Sequence, residues 1–82
     1  MQNASFDHRH PGTTHLLSLF EYAHLRPGKL QEVSAEFRGL AVQMVDDLSD
    51  GPELTAGLRK LLEAKDCFVR QAVIDNRNEG SK

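Results

Sequence analysis

Basic side chains lie on or beside the apolar faces of two predicted helices, and they are the residues best suited to bind an anion. Lys65 is near the middle of such a face. The apolar residues of that face are Leu58, Leu61, Leu62, Val69, Ala72 and Val73. Arg38 borders the apolar face of the preceding helix. Either the Lys65 stem packs while its ammonium reaches water, or the charge reaches an anion that the fold is built to hold.

Four further charged residues share a flank of the last predicted helix. Arg59 with Glu63, and Asp66 with Arg70, are spaced at i,i+4. Such pairs are typical of a solvated salt-bridge ladder that adds a few tenths of a kcal/mol per pair. For Arg59 and Glu63 we favour that interpretation. A solvated salt-bridge ladder explains Lys65 less well, because a cation on a core face costs free energy unless it is paired with an anion or hydrated.

No set of residues with catalytic spacing is found. His8, His10 and His15, helped by Asp7, could hold a metal ion, but we interpret them as a solvated histidine-rich arm. Cys67 is the single cysteine, so an internal disulfide is excluded. No residue at a suitable spacing would activate it as a nucleophile. The sequence therefore predicts a protein that is not an enzyme, with no metal and no cofactor.

The elements that position these side chains are helical. Residues 1–12 are polar and predict a flexible arm, 13–77 a helical-hairpin domain and 78–82 a flexible tail. A short helix is predicted from Thr13 or Thr14, with Leu16, Leu17, Phe20 and Ala23 at helical spacing. The turn at residues 26–28, RPG, ends it.

Two long helices follow, and no strand signal competes with them. The first, about 29–48, carries a 3-4-3-4 apolar seam. Its members are Leu30, Val33, Phe37, Leu40 and Met44, and Ala41, Val45 and Leu48 widen it into a face. The break SDGPE, residues 49–53, separates it from the last helix, about 52–76. A connection this short predicts antiparallel neighbours, so the fold class is all-α: a short N-terminal helix followed by a long antiparallel helical hairpin.

Composition limits what such a chain can do alone. It has 82 residues, of which 39% are hydrophobic and 6% aromatic, so one chain has few residues from which to build a hydrophobic core of its own. We therefore expect a homo-oligomer. The net charge of −2 argues against a DNA or RNA polymer as partner. The absence of a long apolar run and of a signal peptide predicts no membrane association and a cytosolic location.

Residues 20–74 resemble the helical-hairpin family of small bacteriophage proteins that includes the anti-CBASS and anti-Thoeris cyclic-nucleotide sponges. The aromatic entry of that family is matched by Phe20 and Tyr22, followed by Pro27 and Gln31, and its basic residue by Arg38. The motif that opens its last helix is matched by Thr55, Leu58, Lys60, Leu61, Glu63 and Ala64. Many members continue with apolar and tryptophan residues, whereas this chain has Lys65, Asp66 and Cys67, so its ligand preference is expected to differ.

The resemblance implies a homo-oligomer, a hexamer, that sequesters cyclic di- or trinucleotide messengers without cleaving them and blocks CBASS-type signalling in the host bacterial cytoplasm. Lysine and arginine suit the phosphates, and Tyr22 or Phe20 suits base stacking. The predicted ligand-binding residues are Tyr22, Arg38, Thr55, Lys60, Lys65 and Arg70. Two alternatives stay open: a hairpin that binds a host protein through its apolar seam, as a phage regulator would, and a metal-dependent nucleotide-processing enzyme.

Overall fold

The structure, a computed structural model, describes residues 8–80 of the chain, with side chains for residues 8–77. Three helices make up its regular structure: α1 (Pro11–Ser18), α2 (Lys29–Asp47) and α3 (Pro52–Gly80). Across these described residues there is no strand, which confirms the all-α class. α2 and α3 pack against each other, and α1 packs against both.

α1 begins earlier and ends sooner than the sequence predicts. His10 is its N-cap and Pro11 its first residue, a position where proline lacks only an N–H that would be unpaired anyway. The helix ends at Ser18. The backbone N–H groups of Leu19 and Phe20 donate hydrogen bonds to the carbonyl oxygens three residues earlier, which is the 3₁₀ pattern rather than the α-helical one. Phe20 and Ala23 therefore lie beyond the helix. The apolar spacing was right for Phe20, which is fully buried, but it did not mark the helix end.

The two long helices begin and end at glycine and proline signals. Gly28 precedes α2 with φ of +131°, a conformation that residues with a side chain rarely adopt. α2 ends at Asp47, because Leu48 is extended. Pro52 opens α3, which runs to Gly80 rather than to residue 76. The prediction of a flexible tail over 78–82 is therefore wrong at residues 78–80, which are helical; residues 81 and 82 lie outside the described part.

One core joins all three helices. Its buried members are Leu16, Leu17, Phe20, Ala41, Val45, Leu54 and Leu58. On α2 the buried stripe is Ser34, Ala41 and Val45, one residue removed from the predicted seam. These three side chains are smaller than most of those in the predicted seam. The bulkier seam residues lie at its edge, and Leu40 keeps 47% of its surface exposed.

The residues just before α1 fasten it to the loop between α2 and α3. Arg9 is only 10% exposed in its side chain; its Nε lies 3.1 Å from Oδ1 of Asp50. The same guanidinium donates to the carbonyl oxygens of Val45 and Leu48. The prediction of a flexible arm over 1–12 is thus wrong for residues 9–12, which are anchored or helical, while residues 1–7 lie outside the described part. The sequence pattern missed this because hydrogen bonds to carbonyls leave no apolar period.

Asp50 completes that attachment. Its carboxylate accepts hydrogen bonds from Arg9, from the backbone N–H of His10 at 3.0 Å and from the Thr13 hydroxyl at 3.0 Å. The Arg9 hydrogen bond, followed by that of the His10 N–H, lowers the pKa of Asp50 from 3.8 to about 2. These contacts together supply hydrogen bonds to the Asp50 carboxylate and to two backbone carbonyls at the end of α2.

None of the helices in the described residues is both long and apolar enough to cross a lipid bilayer.

Candidate ligand-binding site

Lys65 contacts the end of α1. Its Nζ lies 3.3 Å from the carbonyl oxygen of Leu19, the C-cap residue of α1. The same ammonium lies 5.8 Å from the centroid of the buried Phe20 ring, within cation–π range. The cation therefore caps a helix C-terminus, where positive charge is favourable. This contact explains how Lys65 is tolerated on an apolar face, and it occupies one of the three ammonium donors.

Arg38 reaches the same connecting segment from α2. Its Nη1 lies 3.2 Å from Oε2 of Glu21, in an ion pair whose side chains are 31% and 57% exposed. Tyr22 follows Glu21 directly and is half-buried. An exposed pair of this kind contributes about 0–1 kcal/mol, so an incoming anion could compete for Arg38 at small cost.

Residues 19–22 thus contact both cations and carry the tyrosine. We refer to Tyr22, Arg38 and Lys65 as the polar corner. Arg38 pairs with the carboxylate of Glu21 and Lys65 contacts the carbonyl of Leu19, so both cations reach the segment that carries Tyr22. Guanidinium and ammonium groups both bind phosphate.

The other three predicted site residues lie elsewhere on α3. Thr55 is in the first turn, where its hydroxyl lies 3.1 Å from the carbonyl of Pro52. Lys60 is exposed, and Arg70 is exposed with Nη2 3.7 Å from Sγ of Cys67. Steps of five residues turn a helix by about 140°, so Lys60, Lys65 and Arg70 face different directions. Within one chain these six residues do not form a single pocket.

A second surface was not predicted as a site. Two shallow cavities of about 540 and 380 Å³ lie along the α2–α3 pair, and α1 contributes to neither. We call this surface the groove. Its apolar lining from α2 is Val33, Phe37, Leu40, Met44 and Leu48. Its apolar lining from α3 is Leu54, Leu58, Leu61, Phe68 and Ala72. The predicted seam of α2 is therefore mainly the wall of an open groove.

Phe68 dominates one end of the groove. Its ring stacks on Phe37 with centroids 5.6 Å apart and planes at 25°, yet 57% of its surface is exposed. One face of the Phe68 ring therefore packs within the chain, and the rest of the ring is open.

The three histidines considered as metal ligands lie in α1 or just before it, and Cys67 lies on α3. Over the described residues, no group of three or more histidine, cysteine, aspartate or glutamate side chains could hold a metal ion. His10 instead caps α1, its Nδ1 accepting the N–H of Gly12 at 2.9 Å. Asp7, part of the considered metal set, lies outside the described residues. Cys67 is exposed and free.

The sequence carried one signal that could have revealed Arg9. The last turn of α2 contains no basic residue, although it ends in two aspartates. A helix C-terminus favours a nearby cation, so a basic residue from elsewhere in the chain was to be expected there. Which one supplies it depends on the tertiary fold.

No family model, curated protein or solved structure matches this chain.

Proposed function

We propose that the protein binds and sequesters cyclic di- or trinucleotide messengers without cleaving them, as an assembly of helical hairpins, a hexamer, in the host bacterial cytoplasm. This is the function that the resemblance of residues 20–74 implies. The observation that carries it is the polar corner. Arg38, at the family's basic position, pairs with Glu21, which directly precedes Tyr22 in the chain, and Lys65 contacts the Leu19 carbonyl of the same segment.

The chemistry of the ligand fits this set. A cyclic dinucleotide brings two phosphates and two bases. Stacking of a base on an aromatic ring is worth roughly 1–3 kcal/mol, and a charge-assisted hydrogen bond about 1.5–3 kcal/mol. One polar corner offers one ring and two cations, so a whole ligand needs groups from a neighbouring copy. Lys60, Arg70 and Thr55, which point away from the corner within one chain, are available for that role in an assembly.

Binding and site assignment are tested together by calorimetry with a panel of cyclic nucleotides. Lys65→Met keeps the stem but removes the charge, and we expect it to weaken binding about ten- to a hundredfold. Tyr22→Leu should weaken binding while Tyr22→Phe, which keeps the ring, should not. Arg59→Gln is the matched control, since it removes an α3 cation outside the predicted set. Undiminished affinity of the folded Lys65→Met protein would restrict Lys65 to capping α1.

The fate of the ligand separates this function from its rivals. Heating the complex should release the cyclic nucleotide intact, whereas an enzyme would release a product. A second candidate, a hairpin that binds a host protein, is favoured by the apolar groove. That candidate predicts no binding by any cyclic nucleotide.

A further inference from the structure

The two sides of the α2–α3 pair are covered unequally. α1 and Phe20 bury one side, and the groove on the other side is lined by α2 and α3 alone. Along α2 the groove residues recur every three or four positions from Lys29 to Leu48, so they form one continuous stripe. Leu40, Leu48 and Phe68, three of the five large hydrophobic side chains that are most exposed in the described residues, lie on it.

From this we infer that a second copy of the chain covers the groove, packing face to face so that α2 of each copy lies on α3 of the other. This deepens the assembly part of the proposed function by naming the surface through which two copies meet. It does not depend on the ligand.

The size of the face suits a partner of this kind. α2 has 19 residues, and a helix of that length is about 28 Å long, while two helices side by side are about 20 Å wide. The plan area is then about 560 Å², and a corrugated surface exposes more than its plan area. A stable interface needs about 800 Å² of accessible surface per partner, so the groove with its rim is of the right order. A small metabolite would leave most of it bare.

Charge on the rim selects the orientation. Lys29 from α2 and Asp75 from α3 line the same end of the groove, away from the 48–51 loop. A two-fold axis running along the groove places Lys29 of each copy over Asp75 of the other, giving two opposite-charge pairs. Reversing one copy would instead set Glu53, at the loop end of the groove, against Asp75. Like charges facing each other disfavour that arrangement.

Sedimentation equilibrium of the full chain tests the inference. We expect association at micromolar concentration. Leu40→Asp and Phe68→Asp should each weaken it about a hundredfold or more, because they place a carboxylate in an apolar contact. Both sites are largely exposed in one chain, so circular dichroism should stay unchanged. Ile74→Asp is the matched control: Ile74 is 43% exposed but does not line the groove, so association should persist.

The orientation has its own test. Lys29→Glu should weaken association, and adding Asp75→Lys should restore it at low salt. A monomeric wild-type chain, or groove variants that associate as tightly as Ile74→Asp, would overturn the inference. Failure of the charge exchange to restore association would overturn the stated orientation. Cyclic-nucleotide binding is measured separately by calorimetry, so failure of the proposed function is distinguishable from failure of this interface.

Discussion

The side of the α2–α3 pair that faces α1 and the side that carries the groove are both rich in leucine and phenylalanine, yet only the first is closed within the chain. Closure there depends on polar contacts at both ends of α1. Arg9 and Asp50 hold its start, and Lys65 contacts the carbonyl at its end. The groove side has the apolar surface without such contacts. Apolar spacing therefore identifies which residues avoid water, while the polar contacts decide which element covers them.

The largest expected effect comes from comparing one phenylalanine on each side. Phe20→Ala should destabilise the fold by about 3–5 kcal/mol, because the ring is fully buried. Phe68→Ala should change the stability of the single chain by less than about 1 kcal/mol, because 57% of that residue is exposed. Urea unfolding of both variants at high dilution measures the difference. Equal losses would mean that the groove side is part of the core after all.

The next effect tests the attachment of α1. Arg9→Ala should cost about 1.5–3 kcal/mol, since it removes charge-assisted bonds to the carbonyls that end α2. Arg26→Ala is the control, because Arg26 is exposed in the segment before α2 and no bond of its side chain is recorded in the described residues. Thermal unfolding of the two variants is the measurement. If they melt alike, the Arg9 contacts add nothing to stability.

Acid should remove the contribution of Asp50. Its pKa is lowered from 3.8 to about 2 in the folded protein, so the ionised carboxylate stabilises the fold above pH 4. That stabilisation is lost as the pH falls through about 2. Asp50→Asn should therefore melt below wild type at pH 7, and the gap should close between pH 4 and pH 2. A gap that persists unchanged at pH 2 would contradict the lowered pKa.

The smallest effect concerns a buried polar side chain on α2. Ser34 is 1% exposed and its hydroxyl has no hydrogen-bond partner among the described residues. Ser34→Ala should stabilise the protein by up to about 1 kcal/mol, because it removes a buried polar group without a partner. Ser18→Ala, at an exposed site, should change little. Loss of stability in Ser34→Ala would reveal a partner for that hydroxyl.

Much of the fold could be predicted from the sequence, and the reasons are local. Gly28 and Pro52 mark helix starts through backbone geometry. The predicted apolar face of α3 included the buried Leu58 and Ala72 but not the buried Leu54. The start of α1 was missed because His10 and Pro11 act through capping rather than through apolar period. The predicted apolar face of α2 included the buried Ala41 and Val45, whereas the five larger residues of the seam lie at the edge of the buried stripe.

The candidate site was less accessible to sequence reasoning. Lys65 was singled out correctly as a cation on an apolar face, but its partner, the Leu19 carbonyl, lies 46 residues away along the chain. Arg38 likewise pairs with Glu21 from another segment. Such long-range contacts depend on how the helices pack. Thr55 and Lys60 came from the family resemblance and Arg70 from its place on the flank of the last helix, and their shared role requires an assembly.

The proposal that an assembly of the chain holds intact cyclic nucleotides is tested by native mass spectrometry of the protein mixed with a cyclic dinucleotide. One spectrum gives the number of copies in the assembly and the mass of the ligand that it carries. We expect an even-numbered assembly, a hexamer, that carries whole ligands of unchanged mass. The Leu40→Asp protein loses the two-fold contact at the groove and should appear as an assembly smaller than a hexamer under the same conditions. A wild-type monomer without ligand, or an assembly that carries a cleaved nucleotide, would contradict the proposal.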